Sequence, residues 1–232
     1  MTVLEQFPQD WQRALVLVAH PDDPEYGMGA AVAQWTAAGK EVSYVLASRG
    51  EAGIAGMSPG ESGPLRSLEQ QNACARVGVT DLVFLDHPDG RIEEGLALRR
   101  DFAREIRRAR PEVVLTLNHR DEWGPGQWNS ADHRAVGRAV LDAVGDADNE
   151  WIFPELLDEG LSRHKVRWVA ISSPQPTHTQ AVTAMSIDKA VASLAEHREY
   201  LRALSDVPVE EQARKQIEMV TAGGAVAFEV YG

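Results

Sequence analysis

Short apolar runs alternate along this chain with longer amphipathic stretches. An apolar run with no polar alternation suits a strand buried on both faces. The amphipathic stretch after it suits the helix that carries the chain back to start a parallel neighbour. That alternation points to an α/β fold with a mostly parallel sheet and helices packed on both faces. Residues 14–19 (ALVLVA), 42–47 (VSYVLA), 82–85 (LVFL), 113–117 (VVLTL), 166–172 and 225–230 read as strands. Helices are expected over 28–38, 65–77, 96–108, 131–144 and 187–204, with Gly39 and Gly78 placed to end the first two. Residues 146–163 fit the alternation poorly and suggest an inserted loop or lid. Residues 50–64, with five glycines and two prolines, suggest a long loop of the kind that is functional or mobile.

A chain of 232 residues suits a single domain over 1–232, and its 44% hydrophobic and 25% charged residues allow a buried core. Lysines and arginines number 23 against 35 aspartates and glutamates, a net charge of −12. So acidic a surface repels phosphate backbones and anionic headgroups, which argues against nucleic acid and membrane partners. The single cysteine, Cys74, has no intramolecular partner and reads as a small buried hydrophobe. No apolar run approaches the roughly 20 residues of a membrane span. Residues 1–12 lack a basic segment followed by an apolar one, so a cytoplasmic protein is expected.

Ligands of open parallel sheets collect at the carboxyl ends of the strands. The first strand there runs into His20-Pro21-Asp22-Asp23-Pro24-Glu25. A histidine and two carboxylates on one short turn offer nitrogen and oxygen ligands to a cation such as Zn²⁺, with His20 and Asp23 able to point inward together. The same turn reads equally well as an acidic helix N-cap behind a surface histidine. His133, entering a helix after the fourth strand, falls on the same sheet edge. Three protein ligands and one open position form the usual arrangement of a catalytic zinc, although His133 could also merely expose its ring at a helix start. Asp22 is then a spare carboxylate, able to act as general base beside an activated water.

Several segments together resemble the LmbE-like (PIG-L) family of zinc-dependent N-deacetylases. AHPDDPE after the first strand is similar to that family's AHPDDE signature, and SADHRAVG to its HPDH-type motif. SRGEAG at 48–53, the Arg66-x-x-Glu69 pair with Ala73 and Gly78, LDHPDG at 85–90 and the final AFEV extend the likeness over nearly the whole chain. The resemblance implies a Rossmann-like three-layer fold, metal ligands at His20, Asp23 and His133, and a general base at Asp22. It implies contacts to sugar hydroxyls from Arg66 and Asp89. The implied reaction is hydrolysis of an N-acyl group, chiefly N-acetyl, on an amino sugar, glycoside or secondary metabolite. Zn²⁺ is the implied metal with Fe²⁺ as an alternative, the partner is a small molecule, and homo-oligomers are common among such proteins. A hydratase or other hydrolase on the same scaffold is the nearest alternative. A non-catalytic metal-dependent signalling module, with Asp86 as its phosphoacceptor, is the alternative of another class.

The likeness has departures. The second motif of the family often opens with an oxyanion-stabilising histidine, where this chain has Ser130, a good helix N-cap. His119 and His87 are the residues that could take over that role, or each could be a loop histidine. Pro24 alters the helix entry, so Glu25 is given no catalytic part. His197 reads as solvated or lying behind the site, and His178 as a residue that could approach it. Trp123 and Trp128 could stack on a sugar or simply anchor their loop. Arg66 and Glu69 could form an intrahelical ion pair, and Glu51 reads as solvated.

Overall fold

The computed structural model describes residues 3–232. In chain order the elements are β1 (Glu5–Gln6), β2 (Arg13–Val18), α1 (Asp23–Ala37), β3 (Glu41–Leu46), α2 (Pro59–Val77), β4 (Asp81–Phe84), α3 (Leu96–Ala109), β5 (Val113–Leu117) and the short pair β6 (Glu122–Gly124) and β7 (Gln127–Trp128). Then follow α4 (Ala131–Ala147), α5 (Glu155–Asp158), β8 (Trp168–Ser172), β9 (His178–Ala181), α6 (Ala184–Leu194), α7 (Arg198–Leu204), α8 (Val209–Val220) and β10 (Ala225–Tyr231). One sheet runs β1-β9-β10-β8-β5-β2-β3-β4, and β6 and β7 form a separate hairpin. The five strands β8-β5-β2-β3-β4 are parallel, whereas β10 is antiparallel to both its neighbours. Helices α1, α2, α6 and α8 pack together on one side of the sheet, and α3 and α4 on the other. This is the mostly parallel, three-layer α/β architecture of a Rossmann-like fold. Among the described residues no helix is long and apolar enough to cross a membrane.

Taken in chain order, the parallel strands lie third, second, first, fourth, fifth across the sheet. The order reverses between β2 and β5, and a crevice opens outside their carboxyl ends at such a reversal. Burial explains why β2 and β5 are central: Leu15, Val16, Leu17, Val113, Val114 and Leu115 are all fully buried. At about 25 cal/mol per Å² of apolar surface removed from water, such a strand is held by the layers on both its faces.

The expected strands are all present, but the helices differ at their starts. Helix α1 begins at Asp23, five residues before the expected 28, because Pro24 fits the first helical turn and Asp23 and Glu25 suit the positive end of the helix dipole. Helix α2 begins at Pro59 rather than at 65. Glu61 reaches back to the Ser58 N–H at 3.2 Å in a capping box, and Pro64 forfeits only one bond of the ladder. The expected helix over 187–204 is two helices, broken at 195–197. Strands β1, β6, β7 and β9 and helix α5 carry no clear apolar period and are legible only in the structure, whereas α8 was passed over although Val209, Ala213 and Ile217 fall at helical spacing and are its buried face. Residues 146–163 hold the last residues of α4 and the short α5, packed around Arg107, whose guanidinium donates to the carbonyls of Ala147, Asp146 and Asn149.

Candidate active site

His20 stands two residues beyond β2, and the chain then makes a tight turn into α1. Asp22 takes a left-handed backbone conformation, φ 86°, which a non-glycine residue adopts only when its surroundings hold it there. Its N–H donates to Gln70 Oε1 at 2.9 Å, and Gln70 Nε2 donates to Glu25 Oε1 at 3.1 Å. Glu25, Gln70, Ser193 and His197 are all fully buried. His197 Nε2 is 3.4 Å from Glu25 Oε2, an ion-pair contact outside hydrogen-bonding geometry. So His197 lies behind the turn and is not solvated, and Glu25 belongs to the support of the turn.

Asp23 is the centre of the cluster. Its Oδ2 accepts from the His20 N–H at 2.7 Å and the Ala19 N–H at 3.1 Å. The same oxygen is 3.5 Å from His20 Nδ1, and Asp23 Oδ1 is 3.0 Å from His133 Nε2. His133 sits in the first turn of α4, capped by Ser130, whose Oγ accepts from the His133 N–H at 3.1 Å. The N-cap expectation for Ser130 therefore holds.

The hydrogen bonds on the far side of each imidazole fix which nitrogen faces Asp23. Asn129 Nδ2 donates to the carbonyls of Asn118 and Arg120, so its Oδ1 must be the acceptor for the His133 Nδ1–H at 3.2 Å. His20 Nε2 lies 3.0 Å from Asp132 Oδ2 and 3.1 Å from Asp89 Oδ1, so it carries a proton towards those carboxylates. Neutral imidazoles held this way turn bare lone pairs, His20 Nδ1 and His133 Nε2, towards a carboxylate. That arrangement is repulsive unless a proton or a cation lies between them. A hydrogen-bonded carboxylate or carbonyl behind the ring is also the usual companion of a metal-ligating histidine.

Ligand atoms of His20, Asp23 and His133 lie within 4.8 Å of one another, as do those of His20, Asp89 and Asp132. The second trio is already satisfied by other donors. Asp132 accepts from the N–H groups of Gly90 at 2.7 Å and Ile92 at 3.1 Å, and Asp89 from Ala52 N–H at 2.8 Å. The first trio is the better cation site, and its donor set of two nitrogens and a carboxylate fits a divalent transition metal. Asp132, which contacts His20 Nε2, is the member of the cluster that sequence reasoning passed over, although it stands inside the second motif.

Burial opposes charge throughout, and the partners decide the outcome. It lowers the affinity of His20 for a proton, yet the Asp132, Asp23 and Asp89 carboxylates hold its pKa well above the ordinary value. Burial also raises Asp23, but His133 and His20 outweigh it and keep this carboxyl well below the usual range. Asp22 goes the other way: burial, with Asp23 beside it, pushes the carboxyl up to about 6 against the pull of Arg66. Adjacent carboxylates with opposite shifts are thus held in different protonation tendencies by their different partners.

Arg66 does not pair with Glu69. Its Nη2 donates to the Pro21 carbonyl at 2.7 Å and Asp22 Oδ1 at 3.2 Å, its Nη1 to the Gly50 carbonyl at 3.0 Å, and its guanidinium lies over the Tyr200 ring. Gly50, at φ 64°, has to be glycine because a Cβ there would strike that guanidinium. Glu69 instead accepts from the Glu199 N–H at 2.7 Å, and Glu51, far from being merely solvated, accepts from the Asp89 N–H at 2.9 Å.

These groups line one end of a cavity of about 820 Å³, with His20, Asp22, Asp23, Arg66, Asp89 and His133 all on its wall. Neither expected substitute for the missing imidazole reaches it: His87 pairs with Asp101 at 3.1 Å, and His119 packs beneath Gly137. His178 is absent from the lining too, being on β9 near Glu5. Trp123 lines the cavity while its Nε1 is anchored to Asn129 Oδ1 at 2.9 Å, whereas Trp128 is exposed beneath Arg134. Residues 146–163 contribute nothing to the lining.

The PIG-L family profile, described as GlcNAc-PI de-N-acetylase, matches residues 15–144, more than half of the chain. This chain belongs to the PIG-L family. It is 30% identical over 162 residues to a diacetylchitobiose deacetylase of Thermococcus kodakarensis, covering 69% of this chain and 59% of that protein. It is 31% identical over 176 residues to a 1D-myo-inositol 2-acetamido-2-deoxy-alpha-D-glucopyranoside deacetylase of Kineococcus radiotolerans, covering 62% of this chain and 48% of that one. The chain thus spans about half to three-fifths of the length of these relatives. The structure of an N,N'-diacetylchitobiose deacetylase from Pyrococcus horikoshii superposes with a TM-score of 0.82 at 21% identity, over 96% of this PIG-L chain and 84% of that one, and shares its fold.

Proposed function

We propose that this PIG-L protein is a metal-dependent N-deacetylase that removes an N-acetyl group from an amino sugar or a glycoside containing one. The observation that carries the reading is the pair of imidazole nitrogens, His20 Nδ1 and His133 Nε2, turned on Asp23 with Asp22 left unligated beside them in the cavity. His20, Asp23 and His133 would hold the ion, with Zn²⁺ favoured by the mixed nitrogen and oxygen donors and Fe²⁺ tolerated by the same set. When bound, such an ion supplies Lewis acidity, polarising an amide carbonyl and making a water acidic.

The remaining work falls to this chain's own residues. Asp22 faces the cavity with its carboxyl raised by burial, and it would accept a proton from the attacking water and return it to the departing amine nitrogen. The C–N bond breaks, acetate leaves and a free amine remains. Arg66 holds the Asp22 carboxylate in place at 3.2 Å, and the hydroxyls of the sugar are met by Arg66 and Asp89 on the cavity wall. The relatives' names, deacetylases of acetylated amino sugars, support the choice of substrate. The protein is read as cytoplasmic, with a small molecule as its partner.

Acetate release from N-acetylglucosamine and simple N-acetylglucosaminides, measured with metal-loaded protein, tests the reading. Release that is lost in Asp22→Asn while the metal content stays at about one per chain is the expected result. A metal-loaded protein inert on this panel but active in adding water to an unsaturated acid would replace the deacetylase with a hydratase.

A further inference from the structure

The cavity is far from uniform. Its polar end is the carboxylate and imidazole cluster, but the other wall comes from α7, α8 and β10, beyond the segment matched by the family profile. Leu204, Met219, Val220 and Val226 lie there, with Tyr200 between them and the cluster side. Leu204 is 53% exposed and Met219 is 64% exposed, while Val226 is buried. Large exposed apolar side chains on adjacent elements form a patch that costs free energy in water and marks a binding surface. The wall is fixed in place: Gln216 Nε2 donates to the Tyr26 carbonyl at 3.0 Å, tying α8 to α1 one turn beyond Asp22. A cavity of about 820 Å³ lies near the upper end of the range for small-molecule sites. It has room for more than one hexose, and the surplus space faces carbon.

We propose that Leu204, Met219 and Val220 form a subsite for an apolar group carried by the substrate, an alkyl or aryl aglycone attached to the N-acetylated sugar. The proposal rests on the deacetylase reading for the sugar end and on the apolar wall for the other. A second sugar ring is the competing occupant, and its hydroxyls would find few partners on this wall.

Three probes separate the occupants: methyl and n-hexyl N-acetylglucosaminides, and N,N'-diacetylchitobiose. Affinity is read by calorimetry in the metal-loaded Asp22→Asn protein, and acetate release in the unaltered enzyme. The hexyl glycoside should bind at least about tenfold tighter than the methyl one, the effect of burying roughly two methylenes. In Leu204→Asn/Met219→Asn that ratio should fall towards one, and taking the ratio within each protein cancels any loss of folded material. Equal binding of the two glycosides, a ratio that survives the double substitution, or tighter binding of the disaccharide than of the hexyl glycoside would overturn the subsite. A hexyl preference in binding with no acetate released from any probe would keep the subsite and overturn the deacetylase reading.

Discussion

Gln70 is the residue on which the Asp22 turn depends, and Gln70→Met measures how much. Methionine keeps the length of the side chain and removes its hydrogen bonds. The substitution leaves the buried Asp22 N–H without its acceptor at 2.9 Å and strips Glu25 of a donor at 3.1 and 3.3 Å. An orphaned buried N–H costs about 1–3 kcal/mol, and a hydrogen bond to a charged group contributes about 1.5–3 kcal/mol. The expected loss is about 3–5 kcal/mol. For a chain of this size each kcal/mol is worth about 2–4 °C in Tm, so the midpoint should fall by about 6–20 °C. Thermal unfolding of metal-loaded protein, followed by circular dichroism, reads it. A swap gives the control. Gln70→Glu alone sets two carboxylates against each other, whereas Gln70→Glu with Glu25→Gln restores a donor facing an acceptor and keeps an oxygen for the Asp22 N–H. The double substitution should therefore be more stable than Gln70→Glu alone, a positive coupling in a double-mutant cycle. A fall of less than about 2 °C for Gln70→Met, or a swap no better than the single change, would refute the view that this network holds the turn.

Other outcomes follow from the same geometry. His133→Ala should bring bound zinc or iron from about one per chain to a small fraction by elemental analysis, and should abolish the rise in Tm, about 2–3 kcal/mol in stability at a hundredfold excess of metal over Kd, that adding metal gives the unaltered protein. Gly137→Ala places a Cβ 2.9 Å from the His119 Cα and the Leu117 carbonyl, backbone that cannot move aside, so α4 must shift at a cost of about 1–3 kcal/mol, read as a lower urea midpoint. Burial lowers the pKa of His197, but Glu25 and Asp22 more than offset it and the net shift is upward. Its stabilisation is therefore complete below the unfolded value of about 6.5 and is lost as pH rises through the folded one, so the Tm gap between the unaltered protein and His197→Gln should narrow from pH 6 to 9.

What could be read from the sequence follows how local each signal is. The strands at 14–19 and 113–117 announced themselves because a strand buried on both faces needs an unbroken apolar run, and no distant residue is required to recognise one. The cluster of His20, Asp22, Asp23 and His133 was also legible, since each residue sits on a short motif at the end of such a strand. The start of α2 was passed over: Pro64 suggests a stop, although Ser58-x-x-Glu61 spells a capping box and the bond from the Ser58 N–H to Glu61 forms it, with the helix beginning at Pro59. The break between α6 and α7 was hidden for another reason. Periodicity runs on through 187–204, and the turn at 195–197 is set by His197 reaching a fully buried Glu25 that lies about 170 residues away in sequence. Contacts of that range leave no local trace.

The same distinction explains the roles assigned to Arg66 and Glu69. Spacing of three on a helix favours an ion pair of a few tenths of a kcal/mol at a surface. Both side chains are buried, however, and a buried guanidinium needs partners for its charge. The Pro21 and Gly50 carbonyls and the Asp22 carboxylate take bonds from its two Nη atoms, Nε is left without a partner, and the Glu199 N–H takes Glu69. A weak local preference therefore gives way to a strong non-local one. The consequence reaches the chemistry: because Arg66 is spent on Asp22, it lowers a carboxyl that burial has raised, and the balance leaves Asp22 near 6 instead of permanently protonated. Four carboxylates, Asp22, Asp23, Asp89 and Asp132, crowd one guanidinium and two imidazoles at this end of the sheet, an excess of acidic groups that burial penalises and that bound protons or a cation relieve. So charged a cluster is costly to bury, and its place at the strand-order reversal, where ligands of such sheets collect, fits a bound cation better than a purely structural role.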